Sequence, residues 1–381
     1  LSDLDGSAVA SLRRLNGAKV LGVLRTEAYR KFTVREMSIA TGLSRPTVAR
    51  LLDDLQEIGW ALSAEGKPGA TGRPARRYWF NRLRGLLVSA DLGLHGMALM
   101  VTDLIGTELH WSIVLGQDLE DPAAATAFMV KAFDDVVRPL VAEHKESAEA
   151  EDLPVMAVSV SAPIFTDPDG KIVDTLVGVE RWAEGDFITP VKELYGDIPV
   201  ILNNDLMLTA EAELHLGGLR GSQQGLVVYL AYHSAVILVT NGHVHEGSTH
   251  LAGDIGSLKE YRWRAMIDEA NSTTGFSNPP RTQSMIDDAL GGNEKGLAAL
   301  EQLGKGFTRG IVDVAALWDP DIIVFTGQYA EAGDVVLDPI RAGLNELGQG
   351  DFDLRVSNVD PDKGACLGGV IRALDAVNWN A

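Results

Sequence analysis

Among its 381 residues the chain has one cysteine, Cys366. A single thiol excludes an internal disulfide framework and any zinc site built from several thiolates of one chain; it fits a reducing compartment. Apolar runs long enough to cross a bilayer, about eighteen residues, are also missing, so no membrane contact is expected. The opening Leu1-Ser2-Asp3 lacks the basic region, apolar core and small-residue cleavage site of a secretory signal, and a cytoplasmic location is expected. Positive charge is scarce as well. With 33 Lys and Arg against 53 Asp and Glu, the net charge is −20, a total that argues against a nucleic-acid partner unless the cations are clustered.

They are clustered. Residues 1–85 hold 15 Lys and Arg and 8 Asp and Glu, a balance of +7, whereas the remainder stands at −27. A basic block of this kind can approach phosphate while an acidic body keeps DNA away from every other face. The length calls for two or three domains, because single cores stop growing well below this size.

Within the basic block, Val20, Leu21 and Leu24 recur at helical spacing between Gly17 and Arg25. Thr33 and Glu36 then form a capping-box pair at the head of a second helix that stops at Thr41-Gly42. Ser44 caps a third helix with Pro46 in its first turn, and Val48, Leu51, Leu52, Leu55 and Ile58 form its apolar stripe. Two short helices joined at a glycine have helix-turn-helix spacing. Ser44, Arg45, Thr47 and Arg50 lie off the stripe near the start of the third helix, where hydroxyls and guanidinium forks suit base edges and phosphates. Thr33 and Arg35 sit at the start of the second helix and are assigned to the same surface. Residues Ala61 to Asn81 read as two strands flanking Lys67-Pro68-Gly69-Ala70-Thr71-Gly72-Arg73-Pro74, a basic wing followed by Arg76 and Arg77. Arg73, between Gly72 and Pro74, is set to enter a minor groove; Arg76 joins the DNA-binding set.

From Leu86 onward, apolar runs alternate with amphipathic stretches, as in sheets covered by helices. Strands are expected at Leu86–Leu92, Gly96–Asp103, Thr107–Leu115, Val155–Ser161, Val200–Leu202, Val227–Tyr232, Val236–Thr240 and Asp321–Phe325, with a long helix from Pro122 to His144. The second half echoes the first. His243, His245 and His250 lie close together, but no cysteine or spaced carboxylate set completes a metal site, and solvent-facing histidines are the expected reading.

Several short motifs occur in a fixed order: Gly72-Arg73-Pro74-Ala75, Asp91-Leu92-Gly93, Asp167-Pro168-Asp169-Gly170, Asn204-Asp205, Leu251-Ala252-Gly253-Asp254-Ile255-Gly256, Asp319-Pro320-Asp321-Ile322-Ile323-Val324 and Gly364-Ala365-Cys366-Leu367-Gly368-Gly369. In this order the chain resembles, over nearly its whole length, the ROK family of repressors, open reading frames and kinases. The resemblance implies an α/β fold: a winged helix-turn-helix over residues 1–84, then a two-lobed, actin-like or sugar-kinase-like (ribonuclease H-like) body with lobes at 85–200 and 201–381, the C-terminal helix returning to the first lobe.

The resemblance also sets out what a kinase of this kind would need. The family's second phosphate loop resembles Gly-Thr-Gly-Ile-Gly; here the run is Ala231-Tyr232-His233-Ser234-Ala235, without the glycines that let backbone amides approach phosphate. In the first loop, Leu94-His95 follows Asp91 and Gly93 where the family has Gly-Thr. Ser257 stands in place of the zinc-binding histidine, and Tyr261 to Asn271 contains no cysteine. Asp205 matches the family's catalytic base, with Asn204 beside it as a sugar contact, while the sugar-binding glutamate is the shorter Asp254. A purely structural role for Asp205, capping the helix that follows, stays open. No catalytic residue, cofactor or metal is therefore expected. The expected function is that of a DNA-binding regulator, a repressor, acting on double-stranded operator DNA as a homodimer or homotetramer, with Asn204, Asp205 and Asp254 around a sugar-like effector. The alternative is an ATP-dependent sugar kinase carrying a DNA-binding head.

Overall fold

The computed structural model describes residues 2–65, 75–144, 153–167, 170–176, 178–248, 251–274, 286–287, 289–346 and 352–379. The head comprises α1 (Ser2–Thr26), β1 (Phe32–Thr33), α2 (Val34–Thr41), α3 (Arg45–Glu57), β2 (Ala61–Glu65) and β3 (Arg76–Phe80). The three strands form an antiparallel sheet in the order β1-β3-β2. The first helix is longer than its sequence pattern, running unbroken through Asn16-Gly17. Both caps are made: the Thr33 hydroxyl accepts from the Glu36 amide while the Glu36 carboxylate accepts from the Thr33 amide, and Gly42 closes α2 with φ of 70°. Val48, Leu51, Leu52 and Leu55 are buried against α1, but Ile58, expected in that stripe, is half exposed, because α3 ends at Glu57 and Ile58 is its C-cap.

The first lobe is built on β4 (Leu86–Gly93), β5 (Gly96–Thr102) and β6 (Glu108–Leu115), an antiparallel meander, followed by α4 (Pro122–His144) and β7 (Val155–Ala162). A small hairpin, β8 (Ile164–Thr166) and β9 (Ile172–Thr175), and α5 (Thr189–Tyr195) lead to β10 (Val200–Asn204). The sheet order is β10-β7-β4-β5-β6, with β7 parallel to both β4 and β10. Strand β10 thus belongs to the first sheet, so the boundary expected after residue 200 moves to the turn into α6 (Asp205–His215).

The second lobe contains β11 (Gln224–Tyr229), β12 (Ala235–Thr240), β13 (His243–Val244), α7 (Trp263–Thr274), α8 (Glu294–Trp318), β14 (Ile322–Thr326), α9 (Asp334–Glu346) and β15 (Asp353–Val356), after which α10 (Gly364–Ala376) returns to the first sheet. Its sheet order is β13-β12-β11-β14-β15.

Period-two alternation assigns each face of the first sheet. Leu86, Val88 and Ala90 pack with α4, whereas Leu87 shares a cluster with Cys366, Val370 and Ala373 of α10. In the second sheet, Leu226 and Val228 face α7, α8 and α9, and Val227, Ile237 and Val324 face Leu206, Met207 and Ala210 of α6. The order of layers is therefore α4, first sheet, α10, α6, second sheet, outer helices. The two middle helices touch because α10 carries glycines: a side chain at Gly368 would collide with the Leu208 backbone of α6, and one at Gly369 with Ser89 and Ser159 of the sheet.

Candidate nucleic-acid interface and interlobe cavity

In the head, Arg35, Arg45 and Arg50 are exposed. Among the described residues, Arg45 and Arg50 have no carboxylate partner, leaving both guanidiniums of α3 available to an outside anion. Ser44 and Thr47 are committed to each other at 2.7 Å, the Ser44 hydroxyl also accepting from the Thr47 amide, so both serve the cap. Thr33 is likewise held by Glu36. Arg76 lies at the base of the wing, donating to Ser63 at 2.8 Å and to Gln56 at 2.9 Å, with Asp53 at 3.8 Å; it ties the wing to α3. Arg73 and the tip of the wing fall outside the described residues.

The body opens between its lobes into a cavity of about 240 Å³. Phe165 and Leu176 from the small hairpin, Leu206 and Met207 at the start of α6, and Ile237 of β12 supply an apolar wall. The β11–β12 turn, residues Asp254 and Ser257, and the first residues of α7 supply the polar side. Asn204 and Asp254 both line this cavity, with different freedom. The Asn204 side chain is used by the fold: Oδ1 accepts from the amides of Leu206 and Met207 and Nδ2 donates to the Ile164 carbonyl. Asn204, not Asp205, is the N-cap of α6. Asp254 accepts from the Ser257 hydroxyl at 2.5 Å.

Asp205 does not line this cavity. It is turned to a second polar cluster, in which burial and then the neighbouring charge of Asp91 push its pKa well above the usual carboxylate range. Asp91 is itself raised by burial, against the opposing effect of the Ser161 hydroxyl that donates to it at 2.8 Å. Two buried carboxyls this close favour sharing a proton.

The turn from Ala231 to Ala235 is closed by Ser234, whose hydroxyl donates to the Ala231 carbonyl at 2.6 Å. None of its residues has positive φ, so the chain has no left-handed nest of amides there. Its two large side chains are packed: the Arg264 guanidinium lies 3.7 Å from the centre of the Tyr232 ring and donates to His233 Nδ1 at 3.3 Å. Burial, then Arg264, lowers the His233 pKa to about 4. Among the described residues no group of three metal-ligating side chains exists. His245 packs on Trp318, His243 is exposed, and His250 lies outside the described residues.

One contact was not legible in the sequence. Trp379, beyond the end of α10, packs on Trp60 with centroids 5.2 Å apart and on Phe80 at 6.3 Å, both in the head, with the Arg25 guanidinium 3.5 Å over its ring. The helix that lies between the lobes therefore ends in the core of the head. Arg372 on the same helix pairs with Glu211 of α6 at 3.0 Å and with Glu246 beyond β13, linking it to the second lobe.

Residues 15–63 match the model of the IclR helix-turn-helix domain. The xylose repressor of Bacillus subtilis is 20% identical over 325 residues, covering 81% of this chain and 82% of that protein. A crystal structure of a ROK family transcriptional regulator, a homologue of the Escherichia coli MLC protein, covers 96% of both chains with a TM-score of 0.70 and 16% identity. A ROK family glucokinase from Streptomyces griseus, solved with glucose and AMPPNP, matches with a TM-score of 0.60 and 18% identity over 76% of this chain and all of that one. No described helix is long and apolar enough to cross a membrane. With a helix-turn-helix head followed by a body that has the fold shared by ROK regulators and ROK kinases, the chain is similar in sequence and build to the transcriptional regulators of the ROK family.

Proposed function

We propose that the chain is a DNA-binding transcriptional repressor whose body binds a small effector and does not transfer phosphate. The observation that carries the reading is the surface of α3, where Arg45 and Arg50 stand exposed and without carboxylate partners among the described residues, on the helix that follows the turn. Such a helix places its first turns in a major groove, with guanidiniums on guanine edges or phosphates. The resemblance to xylose repressors supports an effector related to sugars. Arg35, Arg73 and Arg76 contribute at the flanks, Arg76 by fixing the wing against α3. The protein acts as a homodimer or homotetramer on half-sites spaced by whole helical turns.

Loss of phosphate transfer is supported by the Ala231–Ala235 turn, where Tyr232 and His233, braced by Arg264, fill space that a phosphate cradle would leave open. The test of DNA reading is fluorescence anisotropy with DNA from upstream of the protein's own gene, titrated at several salt concentrations. Arg50→Ala should remove preference for one fragment, and Arg45→Ala should weaken binding to all fragments with a salt slope smaller by about one. Equal, weak binding of the wild type to every fragment tested would end the regulator reading.

A second reading, an ATP-dependent sugar kinase with a DNA-binding head, is favoured by one observation, the retained Asp91 and Asp205 beside each other. Sugar-dependent release of ADP that disappears in Asp205→Asn would establish it.

A further inference from the structure

Arg264 sits in the wall of the interlobe cavity, half buried, on the first turn of α7. Its plane is fixed by the Tyr232 ring and one N–H is spent on His233. That bond makes His233 Nδ1 an acceptor, and burial keeps the imidazole neutral, so it adds no competing charge. Among the described residues no carboxylate pairs with Arg264. Asp254 lines the same cavity but is engaged by Ser257 and forms no ion pair with it. A guanidinium held in one plane at the wall of a small cavity, with most of its five N–H donors not used by the protein, is preorganised to receive an anion from outside. The positive end of α7 opens on the same wall. Asp254 lines the same cavity, and its carboxylate oxygens accept hydrogen bonds, which calls for a hydroxyl on the ligand.

Resting on the reading of this cavity as the effector site, we propose that it takes a small hydroxylated anion, with the carboxylate or phosphate on Arg264 and a hydroxyl on Asp254. At about 240 Å³ the cavity lies below the range of drug-sized pockets, which fits a ligand of one ring or its open-chain equivalent. Asn204 is not a ligand contact in this arrangement, since its side chain caps α6.

The full-length protein is titrated by calorimetry, and its melting followed, with glucuronate, gluconate, glucose 6-phosphate, glucose and xylose. At least one acid should bind and raise the melting temperature while glucose and xylose do not. The carboxylate and phosphate probes separate the two sources of charge. Arg264→Gln should weaken the bound acid tenfold or more, with Arg264→Lys in between because it keeps the charge and loses the planar fork. Should Arg264→Gln fail to fold, Arg264→Lys and Asp254→Asn carry the comparison, each weakening the acid. Acid binding unchanged by these variants, tighter binding of glucose or xylose, or no binding of any probe would overturn the proposal. Promoter binding measured on the same preparation keeps the readings apart: specific DNA binding without acid binding defeats only the anion site, whereas loss of specific DNA binding defeats the regulator reading.

Discussion

At Asp205, burial and the charge of Asp91 act in the same direction, and both raise the carboxyl's pKa. A carboxyl whose folded pKa exceeds its unfolded one costs stability above the folded value, and the cost fades as pH falls to the ordinary carboxylate range. Asp205→Asn should therefore melt higher than wild type at mildly alkaline pH, with the difference shrinking at mildly acid pH. An equal difference at both would mean that the charge is not its cause. At the other end of the chain, Thr33→Ala should cost about 1 kcal/mol in urea unfolding, because both halves of its capping box are made. That cap was legible because its partners are three residues apart. The choice between Asn204 and Asp205 as cap of α6 was not, since both are good cap residues and only the approach of Ile164 fixes the Asn204 amide. Arg264 was hidden for a similar reason: its partners Tyr232 and His233 lie on a different element, and no local pattern joins them.

Among the elements, α10 is the most constrained by contact. Gly368→Ala should destabilise the protein by about 1–3 kcal/mol, as overpacking does, because the obstacle is the Leu208 backbone and cannot rotate away. Chemical denaturation checks this, with Leu317→Ala as the control: at an exposed position of α8, that change should move stability by less than about 0.5 kcal/mol. Strands of the body were readable from buried apolar runs, and α4 from its apolar periodicity. The extent of α1 was not, because Asn16-Gly17 has the composition of a break, yet the helix continues with Gly17 beside Leu51. The placement of β10 in the first sheet was also hidden, for a strand does not carry the identity of its parallel neighbour in its own residues.

At the scale of the whole molecule, the interlobe layer joins three regions: the start of α6 borders the cavity, α10 packs on α6, and Trp379 completes the core of the head. Trp379→Ala should lower stability by roughly 1–3 kcal/mol, through lost apolar burial and the lost Arg25 stacking, and should also weaken operator binding in anisotropy. Unchanged DNA affinity in a folded variant would show that the contact fastens the head without shaping its reading surface. This contact joins residues 25, 60 and 80 to residue 379, so nothing in a local window announces it. During synthesis the consequence is one of timing. The head is synthesised before the body, yet its aromatic core stays open until residue 379 has been released, so the head is completed only after the body has been made.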